Sequence, residues 1–223
     1  MLRDDSLRDT LRARLAAWPR QAIAAADAPG HRRAAVVLAI ADAGHGAALS
    51  GLPRHRRWSH EAALLLTRRT RQLQRHAGQW SLPGGRLDDG EAALHAALRE
   101  LHEEVGLALP AANVLGALDD YATRSGFVIT PFVAWTDGAA QLAPAAAEVA
   151  SVHRVELTEL LREDAPLLDP PHEDNVHPVL RMPLGHDWVA APTAALLYQF
   201  REVCLLGRPM RVAHFDQPRF TWR

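Results

Sequence analysis

The first apolar pattern of the chain lies near its N-terminus. Leu7, Leu11 and Leu15 recur at four-residue spacing with Asp and Arg between them, which predicts a short amphipathic helix over residues 6–18. A membrane-surface helix needs a larger apolar face and a basic opposite face. We therefore favour an ordinary amphipathic helix over a membrane-binding one.

Two continuous apolar runs follow and predict buried strands. The first covers residues 34–40 and the second covers residues 61–68. The stretch between them, residues 42–60, is rich in Gly and Arg, and we expect a loop or an insertion there.

The second half of the chain adds two strands and a helix. Residues 113–122 predict a strand with a turn. Residues 126–135 alternate large apolar residues around Pro131, which suits a strand with an edge or a bulge at the proline. A C-terminal helix is predicted over residues 192–206, closed by Gly207.

The most informative pattern runs from Gly85 to Leu107. On a helical wheel that turns ~100° per residue from Glu91, four aliphatic side chains share one narrow face. They are Leu94, Leu98, Leu101 and Val105. Three carboxylates gather on the opposite face, namely Glu100, Glu103 and Glu104. Like charges placed so closely repel one another unless a cation lies among them.

The clustered carboxylates favour a divalent metal ion. Carboxylate oxygens suit hard cations such as Mg²⁺ or Mn²⁺, which keep part of their coordination shell for water and substrate phosphates. Arg99 stands four residues before Glu103 and is within reach to orient it. Three alanines lie among the carboxylates on the wheel and leave room for a ligand, namely Ala93, Ala96 and Ala97. Gly85 can bring its backbone close to a ligand, and Gly106 suits the left-handed end of a helix.

The spacing of this stretch resembles that of a known family. It reads Gly-x5-Glu-x7-Arg-Glu-apolar-x-Glu-Glu-x-Gly-apolar, and this pattern resembles the signature box of the Nudix hydrolases at every specified position. A solvated acidic helix face is one alternative, which the long match in a single register disfavours. An EF-hand loop at residues 88–90 is another, but the alternating acidic positions before Gly90 are absent.

The resemblance implies a fold and a division of the chain. We expect an α/β protein with the Nudix-type α/β/α sandwich, a mixed sheet and added N- and C-terminal helices. Residues 1–30 are expected to form the N-terminal helix and a linker, and residues 31–165 the Nudix hydrolase core. Residues 166–223 are expected to supply a loop, a C-terminal helix and an aromatic tail that packs on the core.

The resemblance also implies a reaction. Roughly one to three Mg²⁺ or Mn²⁺ ions are expected on Glu100, Glu103 and Glu104 with the carbonyl of Gly85. There they neutralise a diphosphate and activate the water molecule that attacks phosphorus. Either Glu103 or Glu104 takes the proton, and Arg99 holds the carboxylates in place. The alternative is a Nudix-like module that binds a nucleotide without cleaving it, but such modules usually lose box carboxylates, and all are kept here.

The segment before the box carries a narrower resemblance. Residues 65–70 read Leu-Leu-Thr-Arg-Arg-Thr, and with His76 and Gly78 they resemble the coenzyme A diphosphatase branch of the family. Gln74 and Leu82 depart from that branch, in which arginine and phenylalanine are usual. This resemblance implies cleavage of coenzyme A or an acyl-CoA to phosphopantetheine and adenosine 3′,5′-bisphosphate. ADP-ribose or a dinucleoside polyphosphate is the alternative substrate.

Basic residues of the same loop are candidates for substrate binding. Arg69, Arg75 and His76 lie just before the proposed metal site, where they can hold phosphate groups. A solvated basic loop is the alternative.

Glu148 is a further candidate for the substrate site. It begins the stretch 148–160, which resembles the late Nudix strand and the short helix that follows it. Ser151 stands where relatives often carry an acidic residue, so Glu148 is the remaining late carboxylate. A strand-edge carboxylate without a role in the site is the alternative.

Residues 162–187 contain three histidines among acidic residues and prolines, namely His172, His177 and His186. A zinc site is one interpretation, but neither a helical pair nor a compact ligand spacing supports it. We expect an exposed proline-rich loop, of the kind that can cover an active site. The aromatic and basic tail, residues 211–223, is expected to pack on the core or on a second subunit.

Composition narrows the picture further. The 223 residues fit one decorated domain, and 48% hydrophobic residues can supply its core. Lys and Arg (25) nearly cancel Asp and Glu (26), so no global field recruits nucleic acid or an anionic membrane. Cys204 is the only cysteine, which excludes an internal disulfide. The sequence shows no signal peptide and no run long enough to span a bilayer, so we expect a cytoplasmic protein, monomeric or homodimeric, with a nucleotide as its small-molecule partner.

Overall fold

A computed structural model gives the fold and describes residues 1–72, 77–171, 177–218 and 221. Within these ranges the helices are α1 (Asp5–Ala17), α2 (Ala93–Val105) and α3 (Thr193–Phe200), and a π-helical turn (Arg201–Leu205) continues α3. Short 3₁₀ turns lie at Ala25–Asp27, Ala111–Asn113 and Leu157–Leu161. The strands are β1 (Arg32–Gly46), β2 (Arg54–Arg69), β3 (Trp80–Ser81), β4 (Gly84–Arg86), β5 (Val114–Ala117), β6 (Tyr121–Ala122), β7 (Phe127–Trp135), β8 (Val149–Glu156), β9 (Leu167–Asp169), β10 (Val179–Leu184) and β11 (Asp187–Ala190).

The main sheet has eight strands of mixed direction. Its path runs β3-β2-β1-β7-β5, while β4 joins β1, β6 joins β7 and β8 joins β2. β1 is antiparallel to β2 and parallel to β7. Parallel neighbours need a long crossover connection, and the chain between β2 and β7 carries α2 in that role. The predicted mixed sheet is confirmed.

Alternation along β1 divides the apolar side chains between two layers. One set packs with α2, namely Ala35, Val37, Ala39 and Ala41. The other set packs with α1 and α3, namely Leu38 and Ile40 together with Leu11, Leu15, Leu196 and Phe200. Because successive side chains of a strand point to opposite faces, a single strand supplies both cores. The predicted α/β/α sandwich with added terminal helices is confirmed.

The expected loop over residues 42–60 is wrong. β1 continues to Gly46 and β2 begins at Arg54, so the two strands form a long antiparallel hairpin. The pairing shifts register around Gly44, whose missing side chain leaves space for the ring of Trp58, 3.1 Å from where a Cβ would lie. Asp42 accepts hydrogen bonds from Trp58 Nε1 (2.9 Å) and His60 Nδ1 (2.8 Å). The sequence of this segment lacks the apolar alternation that predicts a strand, because bulges and polar contacts between the two strands take its place.

β7 continues through Pro131 without a break and is not an edge strand, so the edge or bulge expected at the proline is wrong. β7 pairs with β1 on one side and with β5 and β6 on the other. β5 ends at Ala117 and β6 begins at Tyr121, so the antiparallel partner is broken opposite the proline. A residue without an N–H fits where the ladder has already opened.

The expected exposed loop over residues 162–187 is also wrong. β9, β10 and β11 form a second, three-stranded antiparallel sheet, and it buries Leu180, Met182, Leu184 and Val189. Pro183 pairs with Trp188 within this sheet. The prolines of this segment predict a loop, although one of them lies in a strand. His177 and His186 lie at its margins, whereas His172 lies outside the described residues.

α1 forms where the leucine spacing predicted it. The side chain of Asp4 accepts a hydrogen bond from Leu7 N (2.9 Å), which caps the first turn. Arg14 donates to the carbonyl oxygens of Cys204 and Leu205, both at 2.7 Å, and ties α1 to the end of the C-terminal helix. In the described part of the chain, no helix combines the length and apolar character needed to cross a bilayer.

Replacing Leu11 with Ala should destabilise the whole domain, because its side chain is fully buried between the N- and C-terminal helices and the sheet. We expect a loss of about 2–5 kcal/mol in the free energy of unfolding, measured by urea denaturation. The matched control is Arg12→Ala, since that side chain is half exposed and should cost at most about 0.5 kcal/mol. Equal losses for both variants would mean that α1 is not part of the folded core.

Candidate active site

The site is built where two glycines of β4 approach α2. Gly84 N donates a hydrogen bond to Glu104 Oε2 at 3.0 Å. A Cβ at Gly84 would lie 2.3 Å from the carbonyl oxygen of Ala35, and a Cβ at Gly85 would lie 2.4 Å from the carboxylate carbon of Glu100. Gly84 also has a φ of +150°, which side chains rarely tolerate. Glycine at 84 therefore lets β4 lie close to β1, and glycine at 85 lets the carboxylate of Glu100 lie against the backbone of β4.

The helix is rotated relative to the wheel prediction. Its buried residues are Ala96, Ala97, Leu101, Glu104 and Val105. Leu94 and Leu98 are only partly buried, so the expected four-residue apolar face is half wrong. The alanines face the protein interior and do not leave open space among the carboxylates. Small side chains let the helix lie close to β1 and β4, and this close approach brings Glu104 inside.

Arg99 holds most of the box carboxylates. Its guanidinium donates to both oxygens of Glu91 (3.0 and 2.9 Å), to Glu100 Oε1 (2.9 Å) and to Glu103 Oε2 (3.0 Å). Its Nη2 also donates to the carbonyl oxygen of Arg86 (3.1 Å), which fixes the helix to β4. The hydrogen bonds from Arg99 and from the backbone of Asp88 lower the pKa of Glu91 to about 2. The predicted contact between Arg99 and Glu103 is present, and the shared contact with Glu91 was missed.

Glu100 and Glu104 resist ionisation in this site. Burial raises the pKa of Glu100, and the repulsion from Glu103 and Glu148 adds to it, against the hydrogen bond from Arg99. Burial also raises the pKa of Glu104 to about 7, with repulsion from Glu100 and Glu148 added, against the Gly84 hydrogen bond and Arg69. Glu148 is exposed, yet its charge acts on both carboxylates, so the structure brings it beside the box. Carboxylates that repel one another are thus gathered around Gly85, and Arg99 and Arg69 offset part of that repulsion.

The donor chemistry of this cluster fits a hard divalent cation. Glu100, Glu103, Glu104 and the backbone of Gly85 supply oxygen only, and a cation among them would offset both the burial that raises the pKa of Glu100 and Glu104 and the smaller repulsion between the carboxylates. Across the described ranges, no three acidic, histidine or cysteine side chains already stand at metal-ligand separations. Arg99 occupies one oxygen each of Glu100 and Glu103, so binding a metal requires these side chains to move.

Of the three basic residues expected to bind substrate, the structure describes Arg69. Arg69 Nη1 lies 3.8 Å from Glu104 Oε1, and the Nε of Arg69 is buried without a hydrogen-bond partner among the described residues. A buried donor left in this state is costly unless a ligand meets it. Arg75 and His76 lie outside the described residues.

A cavity of about 1090 Å³ opens beside the box. It lies on the sheet face opposite α2 and reaches the box through Arg69, Gly85 and Arg86. Aromatic side chains line its other walls, namely Trp80, Phe127 and Trp188. Its size exceeds that of a typical pocket for a drug-sized ligand, so a nucleotide with a further substituent fits.

The far wall of this cavity was missed by the sequence analysis. Asp187 Oδ2 accepts hydrogen bonds from Arg68 Nη1 (2.7 Å) and from Trp80 Nε1 (3.1 Å). These contacts attach the hairpin of β10 and β11 to β2 and β3. The residues are far apart in sequence, and the only available signal was a tryptophan beside an aspartate in a segment interpreted as a loop.

Glu104→Gln should change how stability depends on pH in the presence of a chelator. The folded-state pKa of Glu104, about 7, exceeds its ordinary value of 4.5, so its contribution is fully present below about pH 4.5 and is lost as the pH rises through 7. Gln cannot ionise but can still accept the Gly84 hydrogen bond. Relative to the unchanged protein, the variant should therefore gain up to about 3 kcal/mol of unfolding free energy between pH 4.5 and 8.

The control for this measurement is Glu103→Gln, because the side chain of Glu103 is 56% exposed. It removes one charge from the same helix without relieving a buried carboxylate. The same pH-dependent gain in both variants, or no gain in Glu104→Gln, would contradict the assignment of the buried charge to Glu104.

Comparison with known proteins agrees with the box. The family model described as NUDIX domain matches residues 53–177, more than half of the chain. The chain is 42% identical over 103 residues to the uncharacterised Nudix hydrolase NudL of Cronobacter sakazakii, covering 46% of this chain and 54% of that protein. It is 41% identical over 103 residues to NudL of Yersinia enterocolitica, covering 46% and 53%. These matches span about half the length of the curated relatives.

A solved structure shares the same architecture. The MutT/nudix family protein from Enterococcus faecalis superposes with a TM-score of 0.51 at 18% identity, over 76% of this chain and 60% of that chain. At this identity the likeness concerns the fold alone. The family model, the sequence of the box and the carboxylates of α2 that lie against the glycines of β4 all agree. The chain therefore belongs to the Nudix family.

Proposed function

We propose that this protein hydrolyses the diphosphate bond of a nucleoside diphosphate derivative with the help of a divalent metal ion. The observation that carries the proposal is the concentration of buried, mutually repelling carboxylates against Gly85 at the edge of a large cavity. Nudix hydrolases generally use divalent metal ions, and Mg²⁺ or Mn²⁺ suits an all-oxygen donor set.

Each residue of the box has a distinct role in this proposal. Glu100, Glu103 and Glu104, with the carbonyl of Gly85, hold the metal. When bound, the metal supplies charge neutralisation for the diphosphate and lowers the pKa of a water molecule. Arg99 positions the carboxylates through its bonds to Glu100 and Glu103.

Glu104 is also suited to accept a proton. Its carboxylate lies against the backbone of Gly84, and a metal ion bound beside it would lower its pKa from the metal-free value of about 7, so that it would be ionised and able to accept a proton at neutral pH. Glu103 is the alternative proton acceptor, since it is exposed and shares the contact with Arg99. Arg69, whose Nε faces no partner in the described chain, would meet a phosphate oxygen on the cavity side.

Coenzyme A or an acyl-CoA is the substrate we propose first. The Leu65–Thr70 segment resembles the coenzyme A branch, and its Arg68 and Arg69 line the cavity. The cavity has room for a nucleotide at the box and an uncharged arm toward Trp188. In this proposal the core covers residues 31–165, and residues 166–223 are an addition that closes the cavity.

A substrate panel tests the proposal. The protein is incubated with Mg²⁺ or Mn²⁺ and with coenzyme A, ADP-ribose or diadenosine polyphosphates, and the products are identified by mass. Phosphopantetheine and adenosine 3′,5′-bisphosphate are expected from coenzyme A. Cleavage of ADP-ribose without cleavage of coenzyme A would contradict the proposed substrate and favour ADP-ribose. Tight nucleotide binding without turnover would contradict the proposed hydrolysis and favour a module that only binds nucleotides.

Exchanging the box glutamates for glutamine should abolish turnover while the fold is kept. We expect Glu103→Gln and Glu104→Gln each to lower kcat by at least about a hundredfold, because each removes a charge that acts on the metal or on the proton. The control is Glu163→Gln, an exposed carboxylate outside the site. If Glu103→Gln and Glu104→Gln both fold and both keep the activity of the control, the proposed mechanism is wrong.

A further inference from the structure

Two arginines contact one aromatic ring, that of Phe127, which lines the cavity. The guanidinium carbon of Arg32 lies 4.3 Å from the ring centroid of Phe127, and that of Arg86 lies 5.2 Å from the same centroid. Phe127 and Arg86 line the cavity, and Arg86 directly follows Gly85 of the box. The arginine pair on Phe127 therefore borders the place where the scissile diphosphate would lie.

Strand register explains why these side chains meet. Arg32 is paired with Phe127 across the parallel strands β1 and β7, and Arg86 is paired with Ala34 across β1 and β4. Residues two apart on a strand share a face, so Arg32 and Ala34 both face the cavity side of the sheet. Three strands thus bring two cations and a ring to one point.

The arginine pair differs from the neighbouring arginines in its partners. Four nearby arginines each form an ion pair with a carboxylate, namely Arg33 with Asp120, Arg68 with Asp187, Arg69 with Glu104 and Arg124 with Asp216. Within the described ranges, neither Arg32 nor Arg86 has a carboxylate within ion-pair distance, and both are exposed. Two like charges held near one ring repel each other, and an anion bound near both would relieve this repulsion.

We propose that Arg32 and Arg86 form a second phosphate subsite, which takes a phosphate monoester carried by the substrate in addition to its diphosphate. A phosphate monoester has close to two negative charges and three acceptor oxygens, enough to engage two guanidinium groups at once. Coenzyme A carries such a group on its ribose, whereas dephospho-coenzyme A and ADP-ribose do not. The subsite rests on the proposed function and deepens it by selecting 3′-phosphorylated nucleotides.

The test compares two substrates that differ only in the monoester. The full chain with Mg²⁺ or Mn²⁺ should cleave coenzyme A with a kcat/KM at least about tenfold above that for dephospho-coenzyme A. Arg32→Gln and Arg86→Gln should each remove about tenfold from the value for coenzyme A, chiefly through KM, and should lower the value for dephospho-coenzyme A by a smaller factor, so that the ratio between the two substrates falls toward one. Arg32→Lys and Arg86→Lys keep the charge and should recover part of the loss. The control is Arg57→Gln, an exposed arginine of β2 outside the cavity, which should change neither value.

A binding measurement separates failure of the subsite from failure of the hydrolase. Without metal, adenosine 3′,5′-bisphosphate should bind about tenfold more tightly than AMP, and the Gln variants should abolish this difference. If neither coenzyme is cleaved but adenosine 3′,5′-bisphosphate still binds more tightly than AMP, the phosphate subsite is supported and the proposed hydrolysis is contradicted. Equal cleavage of both coenzymes, with equal losses in the Gln variants, would overturn the subsite and leave the hydrolase in place.

Discussion

The close approach of α2 to the glycines of β4 is the constraint on which the site depends. Gly84 has no side chain, so β4 can lie against Ala35 and Val36 of β1 while its N–H donates to Glu104, and Gly85 has none, so the carboxylate of Glu100 can lie where a Cβ would otherwise stand. The alanines of α2 serve the same approach from the helix side, because they are buried against the sheet. Small residues on both surfaces bring charged groups into a place from which bulkier residues would exclude them.

This approach has an electrostatic consequence. Burial separates the carboxylates from water, and one guanidinium, that of Arg99, is shared among Glu91, Glu100 and Glu103. Among the described residues Glu104 receives a backbone hydrogen bond and a distant contact with Arg69, which do not offset its burial, so its pKa rises to about 7. The fold therefore keeps a buried carboxylate with a raised pKa at the point where a cation and a phosphate are proposed to bind.

The cavity beside the box is assembled from segments that are distant in sequence. Gly85 and Arg69 belong to the stretch matched by the family model, whereas Asp187 and Trp188 lie beyond it and Ala34 lies before it. Asp187 attaches the second sheet to the first through Arg68 and Trp80. The family core therefore supplies the carboxylates, and the added segments shape the space that a substrate would occupy. This division agrees with the general finding that function resides in sites carried by a fold.

The sequence by itself determined the elements whose signal is local. The leucine spacing predicted α1, the box predicted its helix with the left-handed end at Gly106, and the apolar run around Pro131 predicted β7. These signals are local, because periodicity and backbone preference depend on neighbouring residues. The acidic residues of the box and Arg99 were identified in the same way.

Tertiary structure alone decided which face of α2 is buried, that residues 42–60 extend a hairpin, and that the proline-rich segment folds into a second sheet. It also decided which cations meet at Phe127. Each of these outcomes depends on contacts between residues far apart in the chain, where strand register and the space left by glycines and alanines outweigh the apolar pattern of any single segment.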